Sequence, residues 1–232
     1  MQKKSFKFIT YINSISFIIF VLLFVVHFFS FNEPFYAKQH RKLKLNNQYL
    51  ADYIGITNEE LDDLTNFTLH YLNDKNATLD KQMIIKGKLR EVFTDDEKLH
   101  MVDVQKLSIN SRYICIASLI IYLCSLFMII KNKKISELYK ANKNVYKFLI
   151  TFLAILITWI LIDFDSFWNF FHHIFFAGND LWILDLSKDI LIMIVPPDFF
   201  FNLVTTIVIA IVVVLFVYYF ALYYLNKRLS YD

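Results

Sequence analysis

An all-α polytopic membrane protein, four transmembrane helices carrying a small extracytoplasmic mixed α/β cap, is the fold class predicted by three observations on this sequence. Of the 232 residues, 57% are hydrophobic and only 19% charged, where ordinary soluble domains hold about 45–50% apolar residues. Four apolar runs contain no charged residue: Phe8 to Phe31, Tyr113 to Ile130, Phe148 to Ile162 and Phe200 to Leu225. The basic residues crowd the segments that join alternate runs. With three Gly and three Pro in the whole chain, the composition excludes collagen-like repeats, flexible linkers and disorder.

A span needs about 20 apolar residues to cross roughly 30 Å of hydrocarbon. In lipid every backbone polar group must be satisfied within its own segment, so each run is read as a helix. The third run is short and is expected to continue into the aromatic stretch after Asp163. The chain then forms one membrane domain with spans at about 8–31, 113–130, 148–164 and 200–225.

Charge sets the direction. Segments 1–7, 131–147 and 226–232 hold eleven of the 24 basic residues and two of the 21 acidic ones, a net of +9 that leaves −6 on the other side. By the positive-inside rule both termini and the middle connection are expected in the cytoplasm, with segments 32–112 and 165–199 outside. The first run is too long for a signal-peptide core, no small-x-small cleavage site follows it, and it reads as an anchor. Cys115 and Cys124 both fall in the second span, about 13 Å of helical rise apart, too far for a bridge.

The first external segment has soluble-type patterning. Leu45, Leu50 and Tyr53 suggest a short helix. Asn58 followed by Glu59 to Leu72 reads as a second, with Leu61, Leu64, Leu69 and Leu72 as its apolar stripe. Met83 to Phe93, with Gly87 between two apolar runs, reads as extended and as a hairpin. Thr94 with Glu97 three residues later forms a capping box, so a helix is expected to start there and run into the second span. On it His100 and Asp103 share a face.

The second external segment, taken from Asp163 to Phe199, concentrates His172, His173, Trp182, an aromatic cluster that includes Phe170, Phe171, Phe175 and Phe176, and six carboxylates, with Pro196-Pro197-Asp198 at its end. Aromatic residues at this density favour the membrane interface. One histidine from each external segment is the natural candidate for proton transfer, since imidazole titrates near neutral pH. His40 and His70 read as ordinary exposed or hydrogen-bonded residues, His27 as bonded within the bundle, and His173 as an interfacial neighbour.

Other chemistries fit less well. His100, Asp103, His172 and Asp185 supply two imidazoles and two carboxylates for a metal, but no H-E-x-x-H or dense ligand cluster accompanies them. A G-x-S-x-G elbow and Gly-rich phosphate loops are absent. Spans without ionisable groups other than His27 do not suit a transporter. The sequons at Asn66 and Asn76 read as chance matches in a bacterial protein. A non-catalytic membrane protein whose cap binds a lipid or a protein partner, and a metal-dependent membrane hydrolase, stay open at this point.

Two stretches carry a resemblance. Phe93 to Val104, containing Glu97, His100 and Asp103, and Phe171 to Phe176 followed by Asn179 to Asp185, resemble the signature of the Lit family of four-span lipoprotein intramolecular transacylases. Pro196 to Phe200 matches the end of that signature approximately. The resemblance implies transfer of the sn-2 acyl chain of a diacylglyceryl-cysteine lipoprotein to the cysteine's own α-amino group, giving the lyso form. It implies His100 and His172 as the catalytic pair. A second histidine at position 173 departs from the family pattern, and the Phe-His-x-Ile-Phe-Phe spacing selects His172.

Glu97, Asp103, Asn179 and Asp185 are expected as supporting or orienting residues. His172 is expected as base toward the α-amine and His100 as its hydrogen-bonding partner, the reverse assignment staying open, with Asp103 or Asp185 fixing a tautomer. No cofactor, metal or covalent acyl-enzyme is required, and no nucleic acid is expected. The partner is a diacylglyceryl-modified lipoprotein in the outer leaflet together with membrane lipid, and the cap covers a lipid-facing site.

Overall fold

The computed structural model describes residues 2–46, 55–75, 77–85, 87–185 and 187–229. In chain order these form α1 (Gln2–Ser30), α2 (Glu33–Asn46), α3 (Asn58–Asn73), β1 (Gln82–Ile85), β2 (Lys88–Glu91), α4 (Asp95–Lys131), α5 (Ile135–Ile162), α6 (Phe164–Phe175), α7 (Ile190–Ile194) and α8 (Pro197–Arg228). Four helices, α1, α4, α5 and α8, are long and apolar enough to cross a membrane. In α4 the charge-free stretch that meets this requirement is Tyr113 to Ile130, and Asp95 to Arg112 before it is charged and amphipathic. The chain divides into two compact units.

The first unit comprises Met1–His27, Ser111–Phe164 and Thr206–Asp232. Helices in lipid gain nothing from burying apolar surface against one another, so packing and interhelical hydrogen bonds must hold them. Phe17 stacks on Tyr218 with ring centroids 3.7 Å apart and meets Tyr122 at 4.9 Å. Buried Asn13 donates through Nδ2 to Ser125 Oγ at 2.8 Å and to the Tyr122 carbonyl at 3.0 Å. Tyr146 donates its hydroxyl to the Leu215 carbonyl at 3.1 Å.

Lys133 closes α4. It adopts φ 55°, and the Lys134 N–H reaches the Ile129 carbonyl while the Lys133 N–H reaches that of Ile130. This is a Schellman closure with lysine where glycine is usual.

The third apolar run belongs to a helix that starts at Ile135, so the lysines of the second connection are largely helical. It does not continue unbroken into the aromatic stretch. Asp163 leaves the helical region at φ −149°, ψ 82°, and α6 restarts at Phe164.

The second unit comprises Phe28–Asn110 and Asp165–Thr205. Its core is built from Leu61, Leu64 and Tyr71 of α3, Ile85 of β1, Phe93, Met101 of α4, and Ile190 and Ile194 of α7. The stripe predicted on α3 is the face it buries. The cap of that helix is Thr57 rather than Asn58: Thr57 Oγ1 accepts the Glu60 N–H, and Glu60 returns a carboxylate to the Thr57 N–H at 2.7 Å. The expected hairpin is present, with β1 and β2 antiparallel and Ile84 opposite Leu89. Gly87 turns it at φ +75°, a conformation that favours glycine. The short helix expected around Leu45 to Tyr53 lies mostly outside the described residues.

Candidate active site

The capping box at Thr94 fixes where α4 begins. Thr94 donates its N–H and its hydroxyl to Glu97 Oε2 at 2.6 and 2.9 Å, and the Glu97 N–H reaches Thr94 Oγ1 at 3.3 Å. With the start set at Asp95, His100 follows Glu97 by one turn on the same buried face. Glu97 is fully buried at 0% exposure, and its second oxygen accepts the Leu191 N–H at 2.6 Å. One carboxylate thus closes the first turns of both α4 and α7. Burial pushes its carboxyl up, and the donors from Leu191 and Thr94 pull it back down.

His172 comes from α6, whose aromatic residues pack around it. Its ring centroid lies 6.2 Å from that of His100. Trp168, one turn earlier, meets it edge-on at 4.7 Å, and Trp182 stacks on it at 4.8 Å. Phe176 touches both histidines, at 5.1 Å from His100 and 5.6 Å from His172. The two sequence-predicted histidines are therefore brought together within an aromatic enclosure.

The nitrogen chemistry of His172 is set by its helix. Nδ1 lies 2.8 Å from the Trp168 carbonyl, which can only accept, so Nδ1 carries the proton and Nε2 is left with a lone pair. Burial holds the His172 pKa below the ordinary histidine value, opposed by the Trp168 carbonyl and assisted by His173. Burial also pushes His100 down, to about 4, with the nearby His172 adding to the effect and Asp103 opposing it. Both imidazoles are neutral at pH 7. His100 Nδ1 and the Trp182 indole nitrogen are buried and have no hydrogen-bond partner among the described residues.

The carboxylates expected to orient a histidine do other things. For His172 that position is taken by the Trp168 backbone. Asp103 accepts the Asn179 side-chain amide at 3.1 Å and Lys106 at 3.2 Å. Burial raises its carboxyl, yet the Asn179 and Lys106 donors outweigh this and hold it below the usual range. Asn179 in turn accepts the Leu181 N–H at 3.1 Å, which sets the turn leading into Trp182. Asp185 is exposed and accepts the Ser187 N–H at 2.8 Å, within its own loop.

Sequence reasoning missed Asp189. It is buried at 4% exposure, accepts the Asp185 N–H at 2.7 Å, and meets Thr94 Oγ1 at 3.5 Å. The six carboxylates of the segment look alike in the sequence, and only its place one residue before the apolar run Ile190 to Val195 sets it apart. His40 is buried and hydrogen-bonded, donating Nε2–H to the Ile194 carbonyl at 2.7 Å. His173 is exposed beside Trp182. Among the described residues no three His, Cys, Asp or Glu side chains converge as metal ligands.

Two neutral imidazoles, one with a defined free lone pair, buried among aromatic side chains suit proton transfer to and from an uncharged nucleophile. Residues 11–200 match the family described as lipoprotein intramolecular transacylase Lit. The structure is similar to that of the membrane-integral Lit from Bacillus cereus, with 20% identity, a TM-score of 0.82, and coverage of 99% of this chain and 100% of that one. A form of the same protein with a histidine replaced by alanine matches at a TM-score of 0.74 and 20% identity, covering 100% of this chain and 98% of that one. No curated protein matches in sequence.

Proposed function

The chain belongs to the lipoprotein intramolecular transacylase family, and from that premise we propose that it moves the sn-2 acyl chain of a diacylglyceryl-cysteine lipoprotein onto the cysteine's own α-amino group, leaving the lyso form. The observation that carries this reading is the proton placement on His172. Its Nδ1–H is committed to the Trp168 carbonyl, which leaves Nε2 as a lone pair beside His100, in the tautomer a general base requires.

His172 takes a proton from the α-amine as the amine attacks the ester carbonyl. The proton then passes to the glycerol oxygen as the acyl–oxygen bond breaks. His100, kept neutral by burial, donates to a substrate oxygen. Asp103 and Asn179 act on the turn that carries Trp182, Glu97 fixes the starts of α4 and α7, and Asp189 holds the Asp185 N–H against Thr94. Nucleophile and ester belong to one molecule, so the enzyme's chief contribution is to fold the lipid head into a reactive ring. The reaction needs no metal, cofactor or acyl-enzyme.

The same reading places both termini in the cytoplasm and the site on the extracytoplasmic side, where the substrate's acyl chains stay in the outer leaflet. The charge asymmetry supports it. Mass spectrometry of lipoprotein N-termini from cells expressing the protein is the test. Expression produces amide-linked chains with a free glycerol hydroxyl, and His172→Ala or His100→Ala inserts in the membrane without producing them. Full lyso-form production by His172→Ala contradicts the proposal.

A further inference from the structure

We infer that the indole N–H of Trp182 donates a hydrogen bond to the carbonyl oxygen of the migrating acyl group, making Trp182 a further catalytic residue. This rests on the acyl-transfer reading above.

Buried polar groups are almost always paired. Trp182 Nε1 is not, although its residue remains partly exposed. The indole N–H is a donor and nothing else, so its partner must be an acceptor. The acceptors described around the histidine pair are engaged: the Trp168 carbonyl with His172, Asp103 with Asn179 and Lys106, and Glu97 with Thr94 and Leu191. The acceptor is left to come from the substrate.

The ring is held where that acceptor will be. Trp182 stacks on His172 at 24° between planes and meets His173 edge-on at 5.1 Å. The turn that sets it is closed by the Leu181 N–H on Asn179 and the Leu184 N–H on the Trp182 carbonyl. The second orphaned group, His100 Nδ1, belongs to the other ring of the pair. An ester about to be attacked by an amine presents a carbonyl oxygen to a fixed donor, which is what the indole N–H lacks, and an amine N–H to the His172 Nε2 lone pair.

The donor matters most at the transition state. As the amine nitrogen bonds to the carbonyl carbon, the C=O π pair moves onto oxygen and negative charge develops there. His172 Nε2 takes the amine proton. When the carbonyl re-forms, the bond to the glycerol oxygen breaks and that oxygen takes the proton, so amide and free hydroxyl form with no net proton change. An N–H held in place by its aromatic neighbours gains strength as the charge grows and needs no reorientation. Indole keeps its proton throughout, leaving proton transfer to histidine.

The test replaces Trp182 with β-(3-benzothienyl)alanine, which has sulfur for N–H at nearly the same shape, and separately with Phe and with ring-fluorinated tryptophans, whose N–H donates more strongly. Conversion of a synthetic diacylglyceryl-cysteinyl peptide by the purified full chain is followed by mass spectrometry. The benzothienyl and Phe variants are expected to lose about 10²–10³-fold in kcat with KM little changed, and the fluorinated rings to retain or exceed the wild-type rate. Unchanged thermal unfolding of the benzothienyl protein separates this from lost packing. A benzothienyl variant within about threefold of wild type overturns the inference, since a lost oxyanion donor costs far more. His172→Ala is run in parallel: if it is inactive while the benzothienyl protein is not, only the Trp182 assignment fails, and if it is fully active the acyl-transfer reading fails with it.

Discussion

Glu97 Oε1 accepts the Leu191 N–H at 2.6 Å across 94 residues of chain, while its other oxygen closes the start of its own helix on Thr94. Both oxygens face donors only. Glu97→Gln keeps the shape but turns an amide NH₂ toward an N–H, so one donor loses its acceptor. The variant is expected to lose about 1–3 kcal/mol of stability, the cost of an unsatisfied buried group, read as a lower thermal midpoint in detergent. A midpoint equal to wild type contradicts the shared-cap account.

Asn179 and Asp103 form a pair that can be exchanged. Asn179→Asp sets two carboxylates face to face and loosens the turn into Trp182, and is expected to lower kcat about tenfold, the scale of roughly 1.4 kcal/mol. Adding Asp103→Asn restores an amide opposite a carboxylate and most of the rate. Because neither residue takes a substrate proton in this account, the pH profile keeps its shape in both variants. A double variant no better than Asn179→Asp contradicts the positioning role.

The pH dependence follows from the direction of the histidine shifts. Burial lowers both His172 and His100, so the neutral base persists to more acidic pH than an ordinary imidazole allows. Activity should fall on acidification first with the substrate's α-amine, at about 7.7–8.0, and steepen that fall through histidine protonation only below the ordinary imidazole value of about 6.5. Stability has a definite sign too. The unfolded chain binds protons on these histidines first, so stability is full above about pH 6.5 and declines as pH falls toward the folded values. Replacing both histidines with Gln should flatten that decline, as measured by thermal unfolding across pH 4–7.

Lys133 holds a left-handed conformation at φ 55° where the closure of α4 normally uses glycine. A side chain in that region costs about 1–2 kcal/mol, partly offset by the extra freedom glycine has when unfolded. Lys133→Gly is expected to stabilise by about 0.5–1 kcal/mol without altering conversion. Lys133→Val, branched at Cβ, should destabilise. Thermal midpoints of the two variants check the ordering.

Much of this was legible in the sequence for physical reasons that act locally. Charge-free apolar length marks the membrane helices, a capping box marks the start of α4, and a glycine between apolar runs marks the hairpin. The Phe-His motif and the capped helix picked out His172 and His100. What was not legible acts across distance or through backbone. The Trp168 carbonyl that fixes the His172 tautomer is a main-chain atom that no side-chain pattern announces, so Asp103 and Asp185 stood in for it. Burial singles out Asp189 from five similar carboxylates, and burial is set by the packing of α7 on α4. The break falls at Asp163, between the third apolar run and the aromatic stretch, where the sequence shows only a charged residue that a helix can carry as readily as end on.

The central claim is that acyl transfer occurs within one substrate molecule, from the sn-2 oxygen to the α-amine. The most direct measurement mixes two synthetic diacylglyceryl-cysteinyl peptides with the purified protein, one with an isotopically heavy sn-2 chain and a heavy peptide, the other wholly light. The account predicts amide-linked products that are entirely heavy or entirely light, with the label drawn from sn-2 alone. Mixed heavy and light products, or an amide carrying the sn-1 chain, would contradict it.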